Sequence, residues 1–167
     1  MKSLCQAAQA FLPCSGIDCQ VTVVTAHAAI ASACRDQGID VVWNDQAGEG
    51  MAASLRCAVE ACHDAGAWAF FPADQPLLTS ETVTDFLRQF LASGAPLGCM
   101  HNGERRCSPA IFRRIYGPEL LRLHGDTGGR QFLRSPQTWV YRPKKTDELF
   151  DIDYQKDLIF LNKQGLK

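Results

Sequence analysis

The sequence has no surplus of charge of either sign: 17 Lys and Arg stand against 18 Asp and Glu, a formal net charge of −1. That balance excludes the broad basic field that would hold nucleic acid or an anionic membrane. An anionic ligand must therefore be gripped locally, by a few side chains, a helix N-terminus or a metal ion. No apolar run approaches the roughly 20 residues of a membrane span. The opening MKSLCQAAQAFLP is too polar, and its apolar run too short, for a signal peptide. The expected location is the cytoplasm. Cysteine is plentiful, at eight residues, but none stands in a Cys-x-x-Cys pair and no His lies at zinc-ligand spacing from one. Most fall in apolar contexts such as Ala33-Cys34 and Gly98-Cys99-Met100 and are expected to be reduced core residues. Internal repeats, low-complexity tracts and interdomain linkers are also missing.

What is present is the composition of one soluble domain spanning 1–167, with 46% hydrophobic and 21% charged residues. Short β-branched or aromatic runs alternate with helical stretches. Strands are expected at Gln20–Thr25, Val41–Trp43, Trp68–Phe71, Leu97–Met100, Pro109–Phe112 and Thr138–Tyr141. Helices are expected over His27–Gln37, Glu49–Ala65 with Gly66 as its C-terminal cap, Thr79 or Ser80 to Ala92, Glu119–Leu123 and Tyr154–Leu161. This alternation predicts an α/β fold, a mostly parallel sheet with helices on both faces. Ligands in such folds lie beyond the carboxyl ends of strands, here after Trp43, Phe71 and Met100.

Those three places and two later segments carry candidate chemistry. Asp74, in Phe70-Phe71-Pro72-Ala73-Asp74-Gln75-Pro76, follows an apolar strand; it suits a Mg2+ ligand or the cap of a turn before proline. In Asn44-Asp45-Gln46-Ala47-Gly48-Glu49-Gly50-Met51, two glycines let backbone approach a ligand at a helix start. Ser54, on the apolar face of that helix, either meets a nucleobase edge or bonds back to a helix carbonyl. In Asp151-Ile152-Asp153 the two carboxylates share one side of an extended segment. Asp151 reads as a metal ligand, Asp153 as a helix cap or a second ligand. Gly125-Asp126-Thr127-Gly128-Gly129-Arg130 is a turn into a helix start, with Arg130 as a fork donor for an anion. His101 faces a substrate or merely solvent.

In order and spacing, Asn-x(3)-Gly-x-Gly-Met-x-x-Ser-Leu, Asp-Gln-Pro-Leu, Gly-Asp-x-Gly-Gly-Arg and Asp-Ile-Asp resemble the molybdenum-cofactor (molybdopterin) cytidylyltransferases, within the MobA-like nucleotidyltransferases. The resemblance implies a Rossmann-like three-layer sandwich and transfer of CMP from CTP to molybdopterin with release of pyrophosphate. It implies Mg2+ as cofactor, with Asp74 and Asp151 catalytic and Asp74, Asp151 and Asp153 on the metal. Asn44, Gly48, Gly50 and Ser54 would contact the nucleotide, while Asp126 to Arg130 and Asn102 to Pro109 would line the pterin side. A molybdoenzyme is the implied further partner.

Two departures from that pattern stand out. The family's opening strand and glycine-rich triphosphate loop have no counterpart, the first glycine being Gly16. The expectation is an N-terminally truncated domain lacking the usual first strand, with impaired transfer. The strands at 21–24 and 68–71 would then pair directly, pair with another copy, or await an upstream segment. Arg106-Cys107-Ser108-Pro109 also differs from the family's Gly-His-Pro or Gly-Asn-Pro. The alternative functions are a non-catalytic molybdopterin-binding or chaperone protein, and a related transferase for another phosphorylated acceptor.

Overall fold

A computed structural model describes residues 18–154 and residue 157. The chain alternates strand and helix as expected. Strand β1 (Thr22–Thr25), helix α1 (Ala28–Arg35) and strand β2 (Asp40–Trp43) form a first βαβ unit, with β1 and β2 parallel and Thr22 opposite Asp40. Cys34 and Ile39 are its buried centre, with Val21, Val23, Ile30 and Val41 packed around them. The apolar reading of Cys34 therefore holds.

Helix α2 (Met51–Ala61) follows a single 3-10 turn at Ala47–Glu49. It ends well before Gly66, because Cys62 leaves the helical region and its carbonyl accepts the Trp68 indole N–H at 2.9 Å. Strand β3 (Ala67–Phe70) leads through the Asp74 turn to helix α3 (Ser80–Ser93). Thr79 caps α3 by accepting from the Thr82 N–H, and Gly94 closes it in a left-handed conformation. Strands β4 (Leu97–His101) and β5 (Arg106–Arg113) form a hairpin, and helix α4 (Gly117–Leu121) precedes strand β6 (Thr138–Tyr141). The closing helix expected over 154–161 falls, apart from Tyr154 and Asp157, outside the described residues.

The four-stranded sheet has the order β3-β5-β4-β6. β5 runs antiparallel to both β3 and β4, and β4 is parallel to β6. Thus β3, β4 and β6 share one direction and β5 alone opposes it. Alternation along the strands sends side chains to opposite faces. Cys99 and Phe112 meet Ala52 and Val59 of α2 and Leu120 of α4 on one face. Met100 and Ile111 meet Val83, Phe86 and Phe90 of α3 on the other. Phe86 stacks on Trp139 at 5.9 Å, which reinforces the second face. The result is the three-layer α/β arrangement expected.

Among the described residues β1 pairs with β2 alone and β3 with β5 alone, so these two strands do not pair directly. The end of α2 touches both sheets: Cys62 Sγ lies 3.9 Å from Thr22 Oγ1, and its carbonyl holds Trp68. No helix among the described residues is long and apolar enough to cross a membrane.

Candidate active site

The turn after β3 is fastened to a segment some 75 positions later by three sets of bonds. The Asp74 carbonyl accepts the Ile152 N–H at 2.9 Å. The Gln75 amide donates to Asp151 Oδ1 at 2.9 Å and to the Ser108 carbonyl at 3.4 Å. Glu148 Oε2, buried at 7% exposure, accepts the Thr79 N–H at 3.1 Å and its hydroxyl at 2.9 Å. Each bond fixes backbone or carboxylate position, so Asp74 and Asp151 are brought together at the carboxyl end of β3. Partial desolvation raises the pKa of Asp74; its own backbone N–H opposes this, and Asp151 and Asp153 push in the same upward direction. Asp74 makes no side-chain hydrogen bond to another described residue. Asp153 is exposed, and its N–H and that of Tyr154 go to Asp157 Oδ2 at 3.1 and 2.8 Å.

Among the described residues no group of three or more His, Cys, Asp or Glu side chains is arranged to hold a metal by itself. Mg2+, however, is usually held by one or two carboxylates with substrate phosphates completing the shell. Asp74 and Asp151 are hard oxygen donors whose mutual repulsion a cation relieves, so the donor chemistry fits a divalent ion. Burial raises the pKa of Cys107; Asp151 adds to the rise, while the backbone N–H of Asn102 and the charges of Arg105 and Arg130 counter it. Asp151 and Arg130 are thus both within electrostatic reach of one thiol. His101 Nδ1 accepts the Gly103 N–H at 3.0 Å, which employs it in the hairpin turn.

The second group of candidates gathers at the carboxyl end of β2. Asn44 is 3% exposed; its Oδ1 accepts the Gln46 N–H at 3.0 Å and its Nδ2 donates to Ser54 Oγ at 3.1 Å. Ser54 Oγ is therefore held by Asn44 as an acceptor. Gly50 has φ 97°, and a Cβ there would lie 2.7 Å from the Gly125 carbonyl carbon and closer still to Asp126 Oδ1. Asp126 Oδ1 accepts the Met51 N–H at 3.2 Å, so it caps α2 from a distant part of the chain. Gly48, by contrast, faces open space. Sequence reasoning passed over Arg56, whose guanidinium donates to the Leu123 carbonyl at 2.7 Å, Gln46 Oε1 at 3.2 Å and Glu49 Oε2 at 2.7 Å. The available signal was its isolation as the sole Lys or Arg between 44 and 65.

A carboxylate pair lies at the end of β3 and a glycine-bearing loop at the end of β2, both within one α/β sandwich. The chain belongs to the MobA-like NTP transferase domain family, whose model matches residues 2–140, and it is a nucleotidyltransferase. Rv0371c from Mycobacterium tuberculosis H37Rv is similar at 25% identity and TM-score 0.73, over 96% of this chain and 83% of that one. The complex of Rv0371c with manganese is similar at 25% identity and TM-score 0.71, over 96% and 86%. Molybdopterin-guanine dinucleotide biosynthesis protein A from Archaeoglobus fulgidus shares the fold at 15% identity and TM-score 0.61, over 86% and 77%. No curated protein sequence matches the chain significantly.

Proposed function

We propose that this nucleotidyltransferase moves CMP from CTP to the phosphate of molybdopterin and releases pyrophosphate, with Mg2+ as cofactor and a molybdoenzyme as the downstream partner. The observation that carries the proposal is the fastening of the Asp74–Thr79 turn to the 148–152 segment, with no other described residue hydrogen-bonded to the Asp74 carboxylate. The manganese complex of Rv0371c supports a divalent ion in a similar fold. The Gly-Met-x-x-Ser helix start at Gly50–Ser54 supports cytosine over guanine.

Bound Mg2+ would neutralise the triphosphate and polarise the phosphate under attack. Asp74 and Asp151 would hold it. Gly48 and the first turn of α2 offer backbone to the nucleotide, and Arg130 offers a fork to an acceptor phosphate. An oxygen of the acceptor phosphate bonds to the α-phosphorus while the α–β bridge breaks and pyrophosphate leaves. Alignment and charge neutralisation are the chief demands of such a transfer.

The test is binding of CTP–Mg2+ and GTP–Mg2+ by calorimetry, together with pyrophosphate release when molybdopterin is added. CTP is expected to bind about tenfold more tightly, a difference near 1.4 kcal/mol, and Asp74→Ala to abolish both signals. Undiminished CTP–Mg2+ binding by Asp74→Ala would sink the proposal in favour of a non-catalytic binding protein. Release with another phosphorylated acceptor alone would replace molybdopterin by that acceptor.

A further inference from the structure

Gln75 follows Asp74 in the chain and bonds Asp151 in the fold, yet it is neither a carboxylate nor exposed. Its side chain is 5% exposed, in a turn whose neighbours Ala73 and Asp74 are exposed. A buried position in a turn is ordinarily filled by an apolar residue, because a primary amide there must find partners for four hydrogen-bonding sites. Gln75 does not find them all. Its Nε2 reaches Asp151 Oδ1 at 2.9 Å and the Ser108 carbonyl at 3.4 Å, while its Oε1 is buried with no partner among the described residues. The reverse orientation would turn Oε1 toward a carboxylate and a carbonyl, both acceptors, so the amide is locked with its donors toward Asp151. An unpaired buried carbonyl is costly. Packing alone gives no reason to tolerate it.

From this we infer that Gln75 is a positioning residue for divalent-metal binding: it holds Asp151 Oδ1, leaving the second oxygen of that carboxylate to face the ion beside Asp74. The inference rests on the metal reading of Asp74 and Asp151 proposed above. Asp151 is itself exposed and follows a short 3-10 turn, and among the described residues Gln75 alone hydrogen-bonds its carboxylate. A donor from a buried element restricts the freedom of that carboxylate. Partners that orient a metal ligand from behind typically contribute 10–100-fold to metal affinity.

The experiment is titration of the full chain with Mn2+ alone, with free Mn2+ followed by electron paramagnetic resonance and folding checked by circular dichroism. Gln75→Leu is expected to weaken Mn2+ binding by about tenfold at unchanged secondary structure. Gln75→Met, unbranched and of similar length, is expected to do the same and serves where Gln75→Leu fails to fold. In an Asp151→Asn background neither substitution should weaken binding further, since the amide then has no metal ligand to orient. Wild-type affinity in Gln75→Leu and Gln75→Met, with binding still weakened in Asp151→Asn, overturns the positioning role and leaves the metal site standing. An equal tenfold loss in the Asp151→Asn background overturns it as well, because Gln75 would then act through general structure. Unchanged Mn2+ binding in both Asp74→Asn and Asp151→Asn overturns the metal site and this inference together.

Discussion

The two ends of the candidate site use their polar residues in opposite ways. At the carboxyl end of β2, Asn44, Ser54, Gln46, Asp126 and the Met51 N–H bond to one another, and Arg56 ties the loop to Leu123. At the carboxyl end of β3, polar groups hold one another through Gln75, Thr79 and Glu148, while no other described residue bonds the Asp74 carboxylate. One end consumes hydrogen-bonding capacity to shape a backbone; the other reserves it for a ligand. In the sequence Asn44, Ser54, Asp126 and Asp74 looked alike as candidate ligand contacts, while Gln75 and Glu148 were not among them. Their difference separates residues that make a surface from those that act at it.

Substitutions at the β3 end should therefore strike activity and those at the β2 end stability. The largest expected effect is Asp74→Asn, which should lower pyrophosphate release at least a hundredfold, about 2.7 kcal/mol of barrier. Its effect on the metal-free fold should be opposite in sign and small. Because the folded state raises the Asp74 pKa, the stability linked to its protonated form is fully present below the unfolded value of 3.8 and is lost as pH rises through the folded one. Asp74→Asn should then melt at or slightly above wild type near pH 7 and level with it near pH 3. A lower melting temperature at pH 7 would place Asp74 in the structural set and break the contrast.

Next in size is Gly50→Ala. Its Cβ would press on the Gly125 backbone at 2.7 Å and on Asp126, at a φ of 97° that side chains rarely adopt. Strain of this kind costs about 1–3 kcal/mol, and chemical denaturation should show the midpoint falling with an unchanged slope. An unaltered midpoint would mean that the contact between Gly50 and Gly125 is slack.

Locally encoded features of the fold were legible. Thr138–Tyr141 is a strand with the expected bounds, and α3 starts at its Thr79 cap and stops at Gly94 because both signals are contained within the helix itself. The end of α2 was not legible, since it depends on the Trp68 indole taking the Cys62 carbonyl across a turn. The site followed the same division. Asp74 and Asp151 could be nominated from their strand-end and extended contexts, but the Gln75–Asp151 bond joins residues 76 positions apart. Asp126 belongs to a glycine-rich turn that suggested an anion site; its bond to Met51, 75 positions away, also makes it a helix cap. Hydrogen bonds over such separations leave no periodicity or spacing to detect.

Asp126→Ala should accordingly cost about 1 kcal/mol, the usual value of a lost N-cap, with Mn2+ affinity unchanged. Loss of Mn2+ binding in that variant would join the two ends that the structure separates.

Gly48→Ala has the smallest expected effect on the fold and is the sharpest probe of the β2 end. It lies in the same loop as Gly50, yet nothing stands within 4 Å of an added Cβ, and its φ is not positive. Replacing a glycine in an ordinary conformation reduces the freedom of the unfolded chain and stabilises by about 0.4–1 kcal/mol. The melting temperature should hold or rise slightly. The open space beside Gly48 is where a nucleotide would approach the loop backbone, so the added methyl should weaken CTP–Mg2+ binding by calorimetry while leaving Mn2+ binding intact. Opposite movement of stability and nucleotide affinity would show that the β2 end, though its side chains are occupied, still contacts ligand through backbone. Unchanged nucleotide affinity would confine this end to shaping the scaffold.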